Sequence, residues 1–165
     1  NLKIWDPMEA STQIGPLAKS SAVDGIHKQV TETIKEGWVL LTWWEKVEGI
    51  GCFYKPTVLE VKPGMTTFEE ETFGPVASII KARDFEEAVI LANDSKYWLW
   101  ASVFSNDENE LNYAISNIET WNIAINSVVT SYANLPYGWI KDSWFGKELW
   151  EKWVKAFVNE KVVIY

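Results

Sequence analysis

Arginine is almost missing from this chain: Arg83 stands alone beside 14 lysines. Nucleic acid and anionic membrane surfaces both select clustered Lys and Arg. A net charge of −8 excludes both as partners. Cysteine is nearly absent too. Cys52 alone excludes an internal disulfide and fits a reducing, cytoplasmic compartment. His27 is the single histidine, and no His/Cys/carboxylate group has the spacing of metal ligands. No apolar run is long enough to span a bilayer, and no secretory leader is visible. Glycine is scarce as well. Average usage would give roughly 12 in a chain this long, yet there are 9, outnumbered by 11 tryptophans.

What is present is a globular composition, 47% hydrophobic and 23% charged over 165 residues, enough for a real core. The chain opens in mid-pattern with "NLKIWDP" and is expected to be a fragment. Val23, Ile26, Val30 and Ile34 recur at helical spacing, with Gly37 as the stop. "VLLT" reads as a short buried strand, "CFYKPTVLEV" as an extended segment and "KPGM" as a turn. "VASIIKA" is strand-like. Asp84 with Glu87, and again Asp107 with Glu110, have the spacing of a capping box before an apolar helix face. Phe85, Ala88, Val89 and Ala92 line the first face; Leu111, Ala114, Ile115 and Ile118 line the second. With "LWASVFS" and "NIAIN" as strands, Val76 to Asn126 reads β-α-β-α-β. That order predicts an α/β fold with a parallel sheet. A loop over 127–143, a helix to about Ala156 and a terminal strand, "KVVIY", complete the expected order.

Neither turn of the β-α-β-α-β run is glycine-rich, so "KARDF" and "SNDEN" cannot cradle a pyrophosphate. His27 reads as a surface or core-edge histidine, and Cys52 as a small buried residue without a base or helix N-terminus to activate it. "FEEETFGP", Phe68 to Pro75, is more informative. Three carboxylates in a row make a solvated acidic face, or else one of them, beside an aromatic and a forced turn, grips vicinal hydroxyls while the ring packs on a flat heterocycle.

"EETFGP", followed in order by "LANDSKYWLWASVFSND", "IETWNIAIN", "LPYGWIKDSWFGKEL" and "FVNEKVVIY", resembles the C-terminal part of an aldehyde dehydrogenase, roughly its last third. "DPMEASTQIGPLA" and "GCFYKPTVLEVKPGM" fit the same family, with "NSVVTSYANLPYG" and "KDSWFGKEL" closest in flavour to its succinate-semialdehyde type. The resemblance implies a partial catalytic domain over 1–157 and a C-terminal oligomerisation strand over 158–165 of a homo-oligomer. It implies NAD or NADP as cofactor and a small aldehyde as substrate. By the same resemblance, Glu71 binds the nicotinamide ribose hydroxyls, Phe73 lies against the nicotinamide side, and Ser131 and Tyr137 line the aldehyde entrance. In that family a cysteine thiolate attacks the aldehyde, hydride passes to NAD(P)+, and a glutamate-activated water hydrolyses the thioester. The nucleophile and base motifs of the family lie upstream of the equivalent of Asn1, and Cys52 matches neither. No catalytic residue and no Rossmann portion are found in the chain, so the chain alone is expected to be inactive.

Against the family pattern, each tryptophan stands where glycine is usual or common: "KIWDP" resembles K-I-G-D-P, "LLTWWEK" resembles L-L-T-G-G-E-K, and "YGWIKDSWFG" resembles Y-G-G-I-K-D-S-G-F-G. Glycine takes positive φ freely and tryptophan does not, so strain is expected at Trp43, Trp44 and in the loop holding Trp139 and Trp144. The Lys bias points to an AT-rich gene, and the expectation is that UGA glycine codons have been read as tryptophan. The alternatives are an aromatic-rich core and a non-catalytic binding module that grips a ligand or partner with exposed indoles.

Overall fold

The computed structural model describes every residue except Asn1, Trp38, Trp43, Trp44, Glu48, Ile50, Ala156, Glu160 and Tyr165; the side chains of Trp150 and Lys152 are likewise undescribed. The strain expected at Trp43 and Trp44 and the end of the chain at Tyr165 lie outside the described residues. The fold is mixed α/β with parallel strands, and the chain falls into two compact units, Asn1–Arg83 and Asp84–Tyr165.

The first unit is built on α1 (Ser20–Lys35), whose predicted stripe buries Val23, Ile26 and Val30 together with Thr33. Gly37 ends it at φ 93°, a left-handed conformation that suits glycine. These residues pack with Tyr54, Leu59 and Val61, and Leu17, Ile34, Cys52, Met65, Phe68 and Val76 close the edges of the cluster. Cys52 is thus half-buried at the margin of the core and not within it. β2 (Thr57–Glu60) runs parallel to β3 (Val76–Ile79) and antiparallel to β1 (Val39–Leu40). The "VLLT" segment is shorter and wetter than expected. β1 is a two-residue edge strand, and Val39, Leu40 and Leu41 are all exposed. One short ladder to β2 is its only strand pairing among the described residues. The "KPGM" turn forms with Gly64 at φ 86° and leads into α2 (Thr66–Glu69).

In the second unit α3 (Phe85–Asn93) is capped as predicted, the Asp84 carboxylate accepting from the Glu87 N–H at 2.8 Å. α4 (Glu108–Asn117) departs in detail. Asp107 accepts from the Asn109 N–H at 2.7 Å, and Glu110 takes the Ser105 hydroxyl as its partner and does not close the box. The inner stripe holds at Val89 and Ala114, but Ala88 and Ile115 are exposed. β5 (Trp100–Val103) and β6 (Asn122–Ile125) form a parallel pair. The predicted single run of parallel strands is divided: β3 takes β2 as its parallel partner, and β5 takes β6.

The stretch expected to be a loop carries structure. β7 (Tyr137–Gly138) pairs with β9 (Lys147–Glu148), and β4 (Tyr97–Trp98) pairs with β8 (Ile140–Lys141). Two-residue ladders have no periodicity for a sequence reading to detect. The last helix, α5 (Trp150–Lys155), begins after β9, later than expected. Lys161 to Ile164 form no strand among the described residues and are exposed.

Candidate functional site

The E-E-T-F-G-P segment joins α2 to β3. Two tight backbone bonds, Gly74 N–H to the Thr72 carbonyl at 3.0 Å and Val76 N–H to the Gly74 carbonyl at 2.8 Å, fold it into successive turns. The Pro75 carbonyl then accepts from the Thr57 N–H at 2.8 Å, which starts the β2–β3 ladder. Gly74 explains why the turn needs glycine. A Cβ there would lie 2.2 Å from Ile26 Cδ1 and 3.3 Å from its Cγ1, so the segment presses its backbone directly on α1. Gln29, also on α1, donates its side-chain N–H to the Glu71 carbonyl at 3.3 Å.

Pressed there, the segment turns Glu71 and Phe73 outward. Both are exposed, Phe73 by 77%. Together with Ala22, Gly25, Ile26, Lys28 and Gln29 they line an open cavity of about 340 Å³. One wall thus offers an aromatic face, the other a helix with small residues, and a carboxylate stands at the rim. This is the arrangement that suits a flat ring with vicinal hydroxyls attached. The α1 side of the cavity was not legible in the sequence, because Gln29 and Glu71 are 42 positions apart and nothing local couples them.

The second unit has its own cavity, about 150 Å³, formed by β6, the loop after it and the start of β7. It brings together Ser131 and Tyr137, with Thr130, Asn122 and Val129 also on its wall. Tyr137 is half-buried and sits opposite Glu148 in the β7–β9 ladder. Burial first, and the Glu148 carboxylate second, raise its phenol above the ordinary tyrosine value. Trp100 and Trp139 meet its ring edge-on, at centroid distances of 6.1 and 5.4 Å. The loop is held by the Val129 N–H donating to Ser102 Oγ at 3.3 Å and by the Leu135 N–H donating to the Tyr132 carbonyl at 3.1 Å. No group of His, Cys, Asp and Glu able to hold a metal occurs among the described residues.

The sequence model of the aldehyde dehydrogenase family matches residues 1–163. The chain belongs to the aldehyde dehydrogenase family. It is 40% identical over 163 residues to an NAD(P)+-dependent succinate semialdehyde dehydrogenase of Escherichia coli, covering 98% of this chain and 35% of that one. It is 38% identical to an NADP+-dependent succinate-semialdehyde dehydrogenase of Mycobacterium avium, covering 98% and 34%. Among solved structures it superposes on the succinic semialdehyde dehydrogenase of Streptococcus pyogenes in complex with NADP+, with a TM-score of 0.92 and 34% identity, covering 99% of this chain and 36% of that chain. This aldehyde dehydrogenase chain therefore spans about a third of the length of the curated relatives it matches. Among its described residues, no helix is long and apolar enough to cross a membrane.

Proposed function

We propose that this chain is part of an enzyme that oxidises an aldehyde, of the succinate-semialdehyde class, to the carboxylate with NAD or NADP, and that the chain alone does not turn over. The observation that carries the reading is the shared cavity of Glu71 and Phe73 against α1. Its dimensions and chemistry fit the nicotinamide–ribose end of a dinucleotide. The Glu71 carboxylate accepts from the ribose hydroxyls, Phe73 supplies the apolar wall for the flat ring, and Gln29 holds the Glu71 backbone to α1. The dinucleotide, when bound, supplies the acceptor for the aldehyde's hydride. The pyrophosphate has no glycine-rich turn here, so the remaining cofactor contacts belong to a part of the enzyme outside this chain.

Ser131 and Tyr137 form the aldehyde entrance in the second unit, a hydroxyl and a phenol offered to a polar substrate. Residues 1–157 are the catalytic-domain portion and 158–165 the association segment of a homo-oligomer. Exposed Val162, Val163 and Ile164, at 84%, 59% and 90%, support that assignment, because they bury nothing within the chain. The cytoplasm is the compartment that fits a lone free cysteine.

The test uses the full-length parent enzyme. A hydrogen bond to a charged group contributes about 1.5–3 kcal/mol, so Glu71→Gln should raise KM for NAD(P)+ by roughly tenfold or more and leave KM for the aldehyde nearly unchanged. An unaltered cofactor KM would remove Glu71 from the site. In parallel, the isolated 165-residue chain should give no aldehyde-dependent NAD(P)H signal, and clear turnover would defeat the claim that it is incomplete.

A further inference from the structure

The described tryptophans contribute nothing to the buried core and make only partly exposed contacts, such as the Trp5 indole N–H donating to Glu9 at 2.8 Å and the Trp121 indole N–H donating to the Pro136 carbonyl at 3.2 Å. Tryptophan is highly buried in most proteins, yet no described tryptophan is among the buried residues, and the core cluster of the first unit contains none. The described tryptophans therefore form no aromatic-rich core. Trp5, Trp144 and Trp153 are exposed by 56%, 60% and 47%. Trp144 stacks on Phe145 at 5.1 Å, but Phe145 is itself 80% exposed, so the two rings cover only each other. A binding face is no better supported. Within the second unit the tryptophans are spread over β4, β5, the position before β6, the positions between β7 and β8 and after β8, and α5, which carries two.

Trp98 is the most telling. Its indole N–H is buried and has no hydrogen-bond partner among the described residues, a condition that native interiors avoid. Its neighbourhood was shaped for something without a donor at that point. The backbone shows a second mark. No described tryptophan has positive φ. Left-handed conformations in the 135–153 stretch fall on Gly146 at 96° and, among the non-glycine residues, on Lys141, two residues after Trp139, and Leu149, next to Trp150, at 52° and 61°. Glycine-jointed turns would bring left-handed geometry there at no steric cost.

We infer that the 11 tryptophan positions are glycine in the protein the source organism makes, encoded by UGA triplets that it reads as glycine. Each tryptophan then stands where the resemblance to the family implies glycine, the lysine bias fits the same AT-rich gene, and the remaining 9 glycines are those encoded by ordinary glycine codons. The change reaches the second cavity. With glycine at 100 and 139, Tyr137 loses both edge-on ring neighbours, and with glycine at 121 the indole that now packs 3.0 Å from a Cβ built on Gly138 is gone. The entrance around Tyr137 is then wider and its loop freer than the tryptophan-bearing chain shows.

The endogenous protein decides it. Tryptic peptides Asp142–Lys147 and Glu148–Lys152 each contain one tryptophan position, 144 and 150. Tandem mass spectrometry of the protein purified from its own cells should find glycine at both, and the gene should carry UGA there. Tryptophan in either peptide, or UGG at these codons, overturns the inference. Neither readout depends on catalysis, so failure here leaves the proposed activity standing, and the reverse holds as well.

Discussion

Gly74 and Lys141 show two ways in which single residues shape the sites. Gly74 is glycine because of proximity, since Ile26 Cδ1 lies where its Cβ would be. Ile26 is only 4% exposed and belongs to the core, so it cannot swing aside. Gly74→Ala should therefore destabilise the chain by about 1–3 kcal/mol, the usual cost of overpacking, read as a lower urea midpoint. Trimming the obstructing side chain in Gly74→Ala/Ile26→Val should recover part of that loss. Lys141 works differently. It holds a left-handed backbone that a lysine resists. Its ammonium offsets this by donating to the Asn93 and Ser95 carbonyls, at 2.7 and 2.9 Å, and by pairing with Glu119 at 3.0 Å. Those partners tie β8 to the end of α3 and to the segment before β6.

Among the elements, α3 is the one whose start is most clearly fixed by a single side chain. Asp84→Ala removes the bond to the Glu87 N–H and should cost about 1 kcal/mol, typical of a lost N-cap. A matching drop in the urea midpoint, with faster hydrogen exchange confined to the first turn of α3, would check it. Elements of this kind were legible in the sequence. α1, α3 and α4 carry their own apolar period, with a glycine stop for α1 and an aspartate start for α3 and α4, and the E-E-T-F-G-P motif is six adjacent letters. The pairing of strands was less legible. Alternation and crossover length predicted parallel neighbours, and β2–β3 and β5–β6 are parallel, but which strand joins which depends on packing that no local pattern encodes. β7, β8 and β9 were invisible for a simpler reason: two residues cannot display a period. The cavity of Glu71 and Phe73 was half legible, its motif side written out and its α1 side contributed by residues 42 positions earlier.

At the scale of the whole chain, the described core is uneven. The first unit has a contiguous cluster around α1, whereas the buried apolar residues of the second are Val89, Val103 and Ala114. Tyr54 is the largest side chain fully buried in that cluster, and burial pushes its phenol from 10.0 up to about 12. The unfolded chain releases this proton near pH 10 and the folded one holds it to about 12. Below pH 10 the phenol is neutral in both states and burial incurs no ionisation penalty. As pH rises from 10 towards 12 the unfolded state binds fewer protons, and stability falls. The chain should thus unfold cooperatively in that alkaline window, with Tyr54 ionising last in a tyrosinate absorbance titration. Tyr54→Phe should flatten the alkaline fall in the urea midpoint, and a titration with all tyrosines ionising together near their ordinary value would contradict the buried setting.

The junction of α1 with α2 carries a consequence of a different kind. Thr33 Oγ1 accepts from the Thr67 N–H at 3.0 Å in a buried setting, and the Glu36 carboxylate accepts from both the N–H and the hydroxyl of Thr66, at 2.9 and 2.8 Å. The first turn of the short helix is thus capped from 30 residues away. Four residues cannot nucleate a helix unaided, so α2 is templated by a finished α1 and is lost whenever the end of α1 frays. Since E-E-T-F-G-P hangs directly from α2, the geometry of the Glu71 cavity inherits that dependence. The rim of the cavity is set by the last turn of a helix that contributes only its earlier turns to the cavity itself.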